Sequence, residues 1–200
     1  MAKLKLTKSE QKKQKDGLKR FQRYLPTLML KKQQLQAEIR TVEIRLNELR
    51  RIKERTDESF EKWIAVFGED EVFTPDILRI NKMVTGEENV AGVPIPIFKG
   101  ADFDTVKYDL LEKPLWLDHA VDSMKKVLLL DLEMLCLEEQ QRRLRKEFQT
   151  TSQRVNLFEK IKIPEAKANI KKIGIYLGDQ QTAAVVRGKI SKRGMERTGS

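Results

Sequence analysis

The chain has 200 residues, of which 35% are charged and 6% aromatic, poor material for a broad globular core. Its net charge of +10 draws it towards polyanions, but no zinc-finger spacing, aromatic RNA-binding signature or helix-turn-helix pattern accompanies that charge. The single Cys136 excludes an intramolecular disulfide framework and fits a reducing compartment, and no uninterrupted apolar run is long enough to cross a bilayer.

The opening MAKLKLTKSEQKK is charged where a signal peptide needs an apolar core, so secretion is not expected. From about Thr7 to Phe67 the sequence then reads as one helix, which a Thr7 or Ser9 hydroxyl could cap by accepting a first-turn N–H. Leu18, Phe21, Leu25, Leu28, Leu35, Ile39, Val42, Leu46 and Leu49 follow one another at steps of three and four, interrupted only by Lys32. An apolar residue every three and a half positions keeps one stripe facing a neighbouring helix as both supercoil, so this stretch needs a long partner. Pro26 removes a backbone hydrogen bond and crowds the preceding turn, which predicts a bend or distortion near Tyr24 to Thr27 within one helix.

From Gly68 to about Pro114 the character changes, with Pro75, Gly86, Gly92, Pro94, Pro96 and Gly100 replacing the seam. Asp76 to Val84 is read as a short helix. Val90, Gly92, Val93, Ile95, Ile97 and Phe98, then Phe103, Val106 and Tyr108, are read as two strands of a small β-hairpin turning at Lys99 to Asp102. Pro94 and Pro96 cannot donate to a ladder, which places their strand at an edge or leaves it irregular. Acidic residues concentrate here, from Glu69, Asp70 and Glu71 to Asp102, Asp104 and Asp109.

A second long helix is expected from about Lys113 to Leu117 onward, with Trp116, Ala120, Val127, Leu130, Met134, Leu137, Leu144, Phe148, Val155 and Phe158 in the same spacing and Ser123, Gln141 and Thr151 filling gaps. Beyond Pro164, Ile161, Ile163, Ile170, Ile173 and Leu177 continue an apolar face. Gly174, Gly178 and Gly188 each cost about 1 kcal/mol in a helix interior, so helix is expected to about Gln180 and fraying or partner-dependent order thereafter. The whole is a mainly α chain: a long antiparallel two-helix coiled coil of the N-terminal region 1–67 and the C-terminal region 115–200, with an irregular middle 68–114 carrying the hairpin. A helix of about sixty residues is roughly 90 Å long, which makes the expected shape a rod. Antiparallel pairing brings the basic ends, Lys8, Lys12 and Lys13 with Arg187, Lys189, Lys192 and Arg193, to one tip.

No grouping resembles an active site. His119 and Cys136 lie about seventeen positions apart on one helix, too far along its axis to cooperate, and the glycines form neither G-x-x-x-x-G-K-[ST] nor G-x-G-x-x-G after a strand. Direct nucleotide binding, a cofactor, a metal and catalysis by this chain are therefore not expected, and Trp63 and Trp116 are read as packing under the hairpin. Lysine, arginine and glutamate are normal on solvated coiled-coil faces, so nucleic-acid binding by a basic coiled coil is kept only as the alternative reading.

Asn89-Val90-Ala91-Gly92-Val93-Pro94-Ile95-Pro96-Ile97 resembles the hairpin motif N-V-M-G-V-x-V-P of the D subunit of the V-type and archaeal-type rotary ATPases, and Gln153-Arg154-Val155-Asn156-Leu157-Phe158-Glu159 with Ile163-Pro164 resembles that family's R-R-V-N-A-L-E and I-P. Leu28 to Leu35 is more loosely similar to its L-L-K-x-K-R-D-x-L, while Gln33, Gln153 and the tail from Gly178 to Ala184 depart from the family pattern. The resemblance implies a noncatalytic central-stalk rotor shaft, cytoplasmic and peripheral to the membrane through its complex. It implies that the terminal helices, with the basic tip, stand inside a ring of A and B subunits. The middle, including Val90 to Ile97, would bind a small F subunit and rest on a membrane-side funnel subunit. Rotation would then couple ATP hydrolysis or synthesis to proton or sodium transport.

Overall fold

The computed structural model describes the backbone of residues 4–67, 77–105 and 116–198, and the side chains of these except 60–67, 105 and 194–198. Long helices occupy both ends with a two-stranded antiparallel hairpin between them: α1 (Lys8–Phe67), β1 (Leu78–Val90), β2 (Val93–Thr105), α2 (Trp116–Asn156), a π-helical turn (Leu157–Lys162) and α3 (Ile163–Thr198). The chain divides into two compact units, Lys32–Gln149 and Met1–Lys31 with Thr150–Ser200.

Thr7 starts α1, its hydroxyl accepting the Glu10 N–H at 3.3 Å and its carbonyl accepting the Gln11 N–H at 3.0 Å. The hydroxyl bond satisfies one of the first-turn donors that a helix leaves without intrahelical partners, and the carbonyl bond is the first of the helix's own. Pro26 lies inside α1 without dividing it.

In the unit Lys32–Gln149, Leu35, Ile39, Val42 and Leu46 from α1, Leu144 from α2, and Val93 and Ile95 from β2 form one buried cluster, with Met134, Leu137 and Phe148 packed against it. Leu35 and Leu144 are fully enclosed. Truncating Leu35 to alanine removes buried methyl groups and leaves a cavity, a loss of about 2 to 5 kcal/mol. Lys32, the one break in the apolar spacing, sets its ammonium 5.8 Å from the centre of the Phe148 ring, so a cation–π contact fills the gap. Trp116 packs with Ile77, Leu117 and Val121 in a second cluster.

The hairpin corrects the sequence reading. Leu78 to Val84, inside the expected short helix, is strand, and the chain reverses at Ala91 and Gly92 instead of Lys99 to Asp102. Ala91 and Gly92 have φ of 50° and 81°, the two positive values that a two-residue type I′ hairpin turn needs, and Asn89 Oδ1 accepts the Gly92 N–H at 2.9 Å. The turn-like Lys99-Gly100 is instead a bulge within β2: Val84 pairs with Gly100 and Thr85 with Phe98, leaving Lys99 extra, and Gly100 takes φ 147°. The expected strand residues Val106 and Tyr108 lie outside the described residues.

In the other unit, Phe21 of α1 meets Phe158 of the π turn with ring centroids 5.1 Å apart and planes tilted by 49°. The Ile163 N–H donates to the Phe158 carbonyl, five residues back, so the turn holds one residue more than an α turn. Its effect is visible in burial. Continuing the spacing of Thr151, Val155 and Phe158 without interruption would point Glu165, Lys172 and Tyr176 inward, whereas Ala166 and Ile173 are buried and Leu177 is half-buried. The extra residue rotates α3 by one position and exchanges a charged stripe for an apolar one. Ile161, expected on the inner face, is left exposed.

Helix also continues past the expected end at Gln180, through Gly188 to Thr198. Residues 178–193 are all exposed, so α3 there is held by its own backbone and local contacts, such as Thr182 Oγ1 to the Gly178 carbonyl at 3.1 Å. Lysine, arginine and alanine around the glycines are good helix formers and offset their cost.

Deleting Glu159 should convert the π turn into an α turn with the α3 seam kept, and thermal unfolding should shift little. Deleting Ala168 from an ordinary α turn should rotate Ile173 and Leu177 about 100° off the seam and cost several times more, within the roughly 2 to 5 kcal/mol range for emptying a core position.

Candidate functional site

The unit Lys32–Gln149 holds a helix pair with a polar border and a hairpin held against it, and the other unit carries a basic helical end. Glu43 of α1 accepts from Arg145 Nη2 at 2.7 Å and from Gln141 Nε2 at 3.3 Å, while Lys53 reaches back to Asp131. Numbers fall along α2 as they rise along α1, so the pair is antiparallel. Arg45 donates through Nε and Nη2 to Glu133 at 3.2 and 3.0 Å, and Arg50 to Glu138 at 3.3 Å. The hydrogen bonds to Glu133 and Asp131 push the Arg45 and Lys53 pKa values up, against a smaller opposing effect of burial. Such half-exposed pairs are worth about 0.2 to 1 kcal/mol each, so they fix register more than they add stability.

The seam positions on α2 and the following turn, Val127, Leu130, Met134, Leu137, Leu144, Phe148, Val155 and Phe158, are half-buried or buried, as are Leu18, Phe21, Leu25 and Leu28 on α1. Leu49 of α1 is 1% exposed. Among the hairpin residues expected to meet partners, Val93 and Ile95 have their side chains in the core cluster, Val90, Pro96 and Ile97 are half-buried, and Gly92 and Pro94 are exposed. Strand alternation explains the division: one face of β2 looks into the core, so a partner can reach only the other.

A donor ladder on α2, absent from the sequence reading, faces this strand. Cys136 Sγ and Gln140 Nε2 donate to the Pro96 carbonyl, and Arg143 Nη1 donates to the Pro94 carbonyl at 3.2 Å. Its signal in the residues is a set of donors at i, i+4 and i+7 on one helix face beside two prolines at alternate strand positions. Burial pushes the Cys136 thiol pKa up. Glu139 receives Arg142 at 2.6 and 2.7 Å and Arg143 at 2.7 Å, and these bonds lower its carboxyl to about 2.

Lys8, Lys12, Lys13, Arg187, Lys189, Lys192 and Arg193 are all exposed. Lys8 and Gln11 border an open groove with Gly174, Leu177, Gly178 and Ala184 of α3. Beyond that groove α3 continues with Val186 and Ile190 in solvent. His119 is exposed and Cys136 buried. Among the described residues, no group of three or more His, Cys, Asp or Glu is placed to hold a metal ion. The side chain of Trp63 and the acidic run at Glu69 to Glu71 lie outside the described residues.

The family model for the ATP synthase D subunit matches residues 10–193. The V-type ATP synthase D subunit of Borreliella burgdorferi is 50% identical over 192 residues, covering 96% of this chain and 95% of the relative. The chain belongs to the family of V-type ATP synthase D subunits. Its similarity extends to the D subunits of Chlamydia muridarum, 32% identical over 197 residues with 95% of each chain covered, and Chlamydia abortus, 33% identical over 193 residues with 95% of this chain and 92% of the relative covered. Membership of a V-type ATP synthase complex follows, and among the described residues no helix is long and apolar enough to cross a membrane.

In this D-family chain, the depressed Glu139 pKa gives a signed pH dependence. A carboxyl lowered in the folded state adds stability that is present above its unfolded value of about 4.3 and is lost as pH falls through about 2. Urea midpoints measured between about pH 5 and pH 2 should fall further for the natural chain than for Glu139→Gln, the two converging at the acid end.

Proposed function

We propose that this chain is the noncatalytic rotor shaft of its complex, transmitting rotation between an A/B ring that hydrolyses or makes ATP and a membrane sector that moves protons or sodium ions. The observation that supports it most is the seam: α1 stays one helix for 60 residues and is packed, in each unit, against an antiparallel helical partner. Twisting such a pair disturbs many close-packed contacts at once, which is the property a torque carrier needs. The polar border resists sliding of α1 along α2 by the same logic.

The start of α1 and the end of α3 stand in the ring. There the exposed cations Lys8, Lys12, Lys13, Arg187, Lys189, Lys192 and Arg193 meet acidic surface, and the apolar Val186 and Ile190 meet apolar surface. The small F subunit binds the unit of residues 32–149, and the membrane-side funnel subunit receives the same end. Pro94 and the outward residues of β1, including Ile80 and Val84, are the hairpin groups open to such partners. An asymmetric shaft then favours different states in otherwise equivalent ring subunits as it turns, because its contacts differ from one to the next.

Removing residues 1–17 together with 178–200 should leave F binding intact and lower coupled ATP turnover, measured by co-purification and by ion-dependent hydrolysis in the reassembled complex. Loss of F binding with retained ring binding would show that the polarity is reversed.

A further inference from the structure

Pro94 and Pro96 sit two apart on β2, so their backbone groups point the same way, and their carbonyls face α2. Proline has no N–H, which leaves this stretch of edge with acceptors only. The next residue in the series, Phe98, keeps its N–H and turns it to the sulfur of Cys136. The helix answers with donors: Cys136 Sγ at 3.3 Å and Gln140 Nε2 to the Pro96 carbonyl, Arg143 Nη1 at 3.2 Å to the Pro94 carbonyl. Positions i, i+4 and i+7 share one helix face, so the three donors form a row. Glu139 accepts from Arg143 Nε at 2.7 Å and holds the guanidinium towards the strand. Val93 and Ile95, alternating with the prolines, drive their side chains into the core beneath, and β1 occupies the other edge.

We propose that the row Cys136, Gln140 and Arg143 is a latch for the edge at Pro94 and Pro96, seating the hairpin tip on α2 in one register so that the hairpin moves with the α1–α2 pair as one body. The prolines supply its selectivity. A strand slipped by one residue would turn the N–H groups of its neighbours towards donors on α2 and bury unpaired hydrogen-bonding groups, which is costly. The same edge cannot template a further strand in regular pairing, since half of the needed groups are missing.

Hydrogen exchange of the full chain, followed peptide by peptide, tests the latch. The double substitution Gln140→Leu with Arg143→Met should speed exchange of hairpin amides 86–98 by about tenfold or more, as expected for two side-chain bonds of ordinary strength, with little change across 35–49 and 120–135. Hairpin exchange within about twofold of the natural chain, or equal acceleration in both helices, would overturn the proposal. Gln140→Glu separates the latch from packing because it keeps the side-chain shape. At neutral pH its carboxylate faces a carbonyl and the tip should open. Near pH 4, where a glutamate of ordinary pKa about 4.3 regains a proton to donate, protection should return relative to the natural chain at the same pH. Protection that is unchanged at neutral pH, or that fails to return on acidification, would contradict it.

Discussion

The structure depends on one stripe of side chains that recurs at alternating steps of three and four along α1. From Gln14 to Lys53 every such position is half-buried or buried, and the residues between them are mostly exposed. Burying this stripe requires a partner helix at every level, which α2 supplies in one unit and the π turn with α3 in the other. Polar residues that fall on the stripe are absorbed by specific means: Lys32 lies over the Phe148 ring and Lys53 pairs with Asp131. Thr151 is 1% exposed.

Two irregular features serve that stripe. The π turn at Leu157–Lys162 inserts one residue, and the rotation it produces brings Ala166, Ile173 and Leu177 inward in place of Glu165, Lys172 and Tyr176. The hairpin contributes Val93 and Ile95 to the cluster that holds Leu35, Ile39, Val42, Leu46 and Leu144, so the middle of the chain completes the helix pair it interrupts. In each case a local departure from regular geometry is offset by burial of apolar surface, the dominant favourable contribution in folding.

Much of this is legible in the residues. Thr7, the apolar spacing and the breakers after Phe67 mark α1, and the same spacing marks α2. Lys99-Gly100-Ala101-Asp102 has the composition of a turn and so draws the expected reversal too late in the chain; Gly100 answers instead the needs of a bulge, while Ala91 takes a positive φ that an alanine seldom adopts. Strand rather than helix over Leu78 to Val84 follows from pairing with Gly100 to Thr105, a long-range constraint invisible in a local window. The length of α3 is underestimated when Gly178 and Gly188 are weighed singly, without the helix formers around them. The basic residues at the two ends are visible as a charge pattern, whereas the donors at Cys136, Gln140 and Arg143 gain meaning only once the strand lies beside them.

Membership of the V-type ATP synthase D family, the packed helical seams, and the exposed cations and apolar residues on α3 are what support the proposal of a torque-carrying shaft among other subunits. An image of the assembled V-type complex, with separate labels on the first and last residues of this chain, tests that claim most directly. The account predicts both labels together on the central axis within the A/B ring, and the hairpin on the membrane side. Labels at the periphery of the complex, or at opposite ends of the axis, would contradict it.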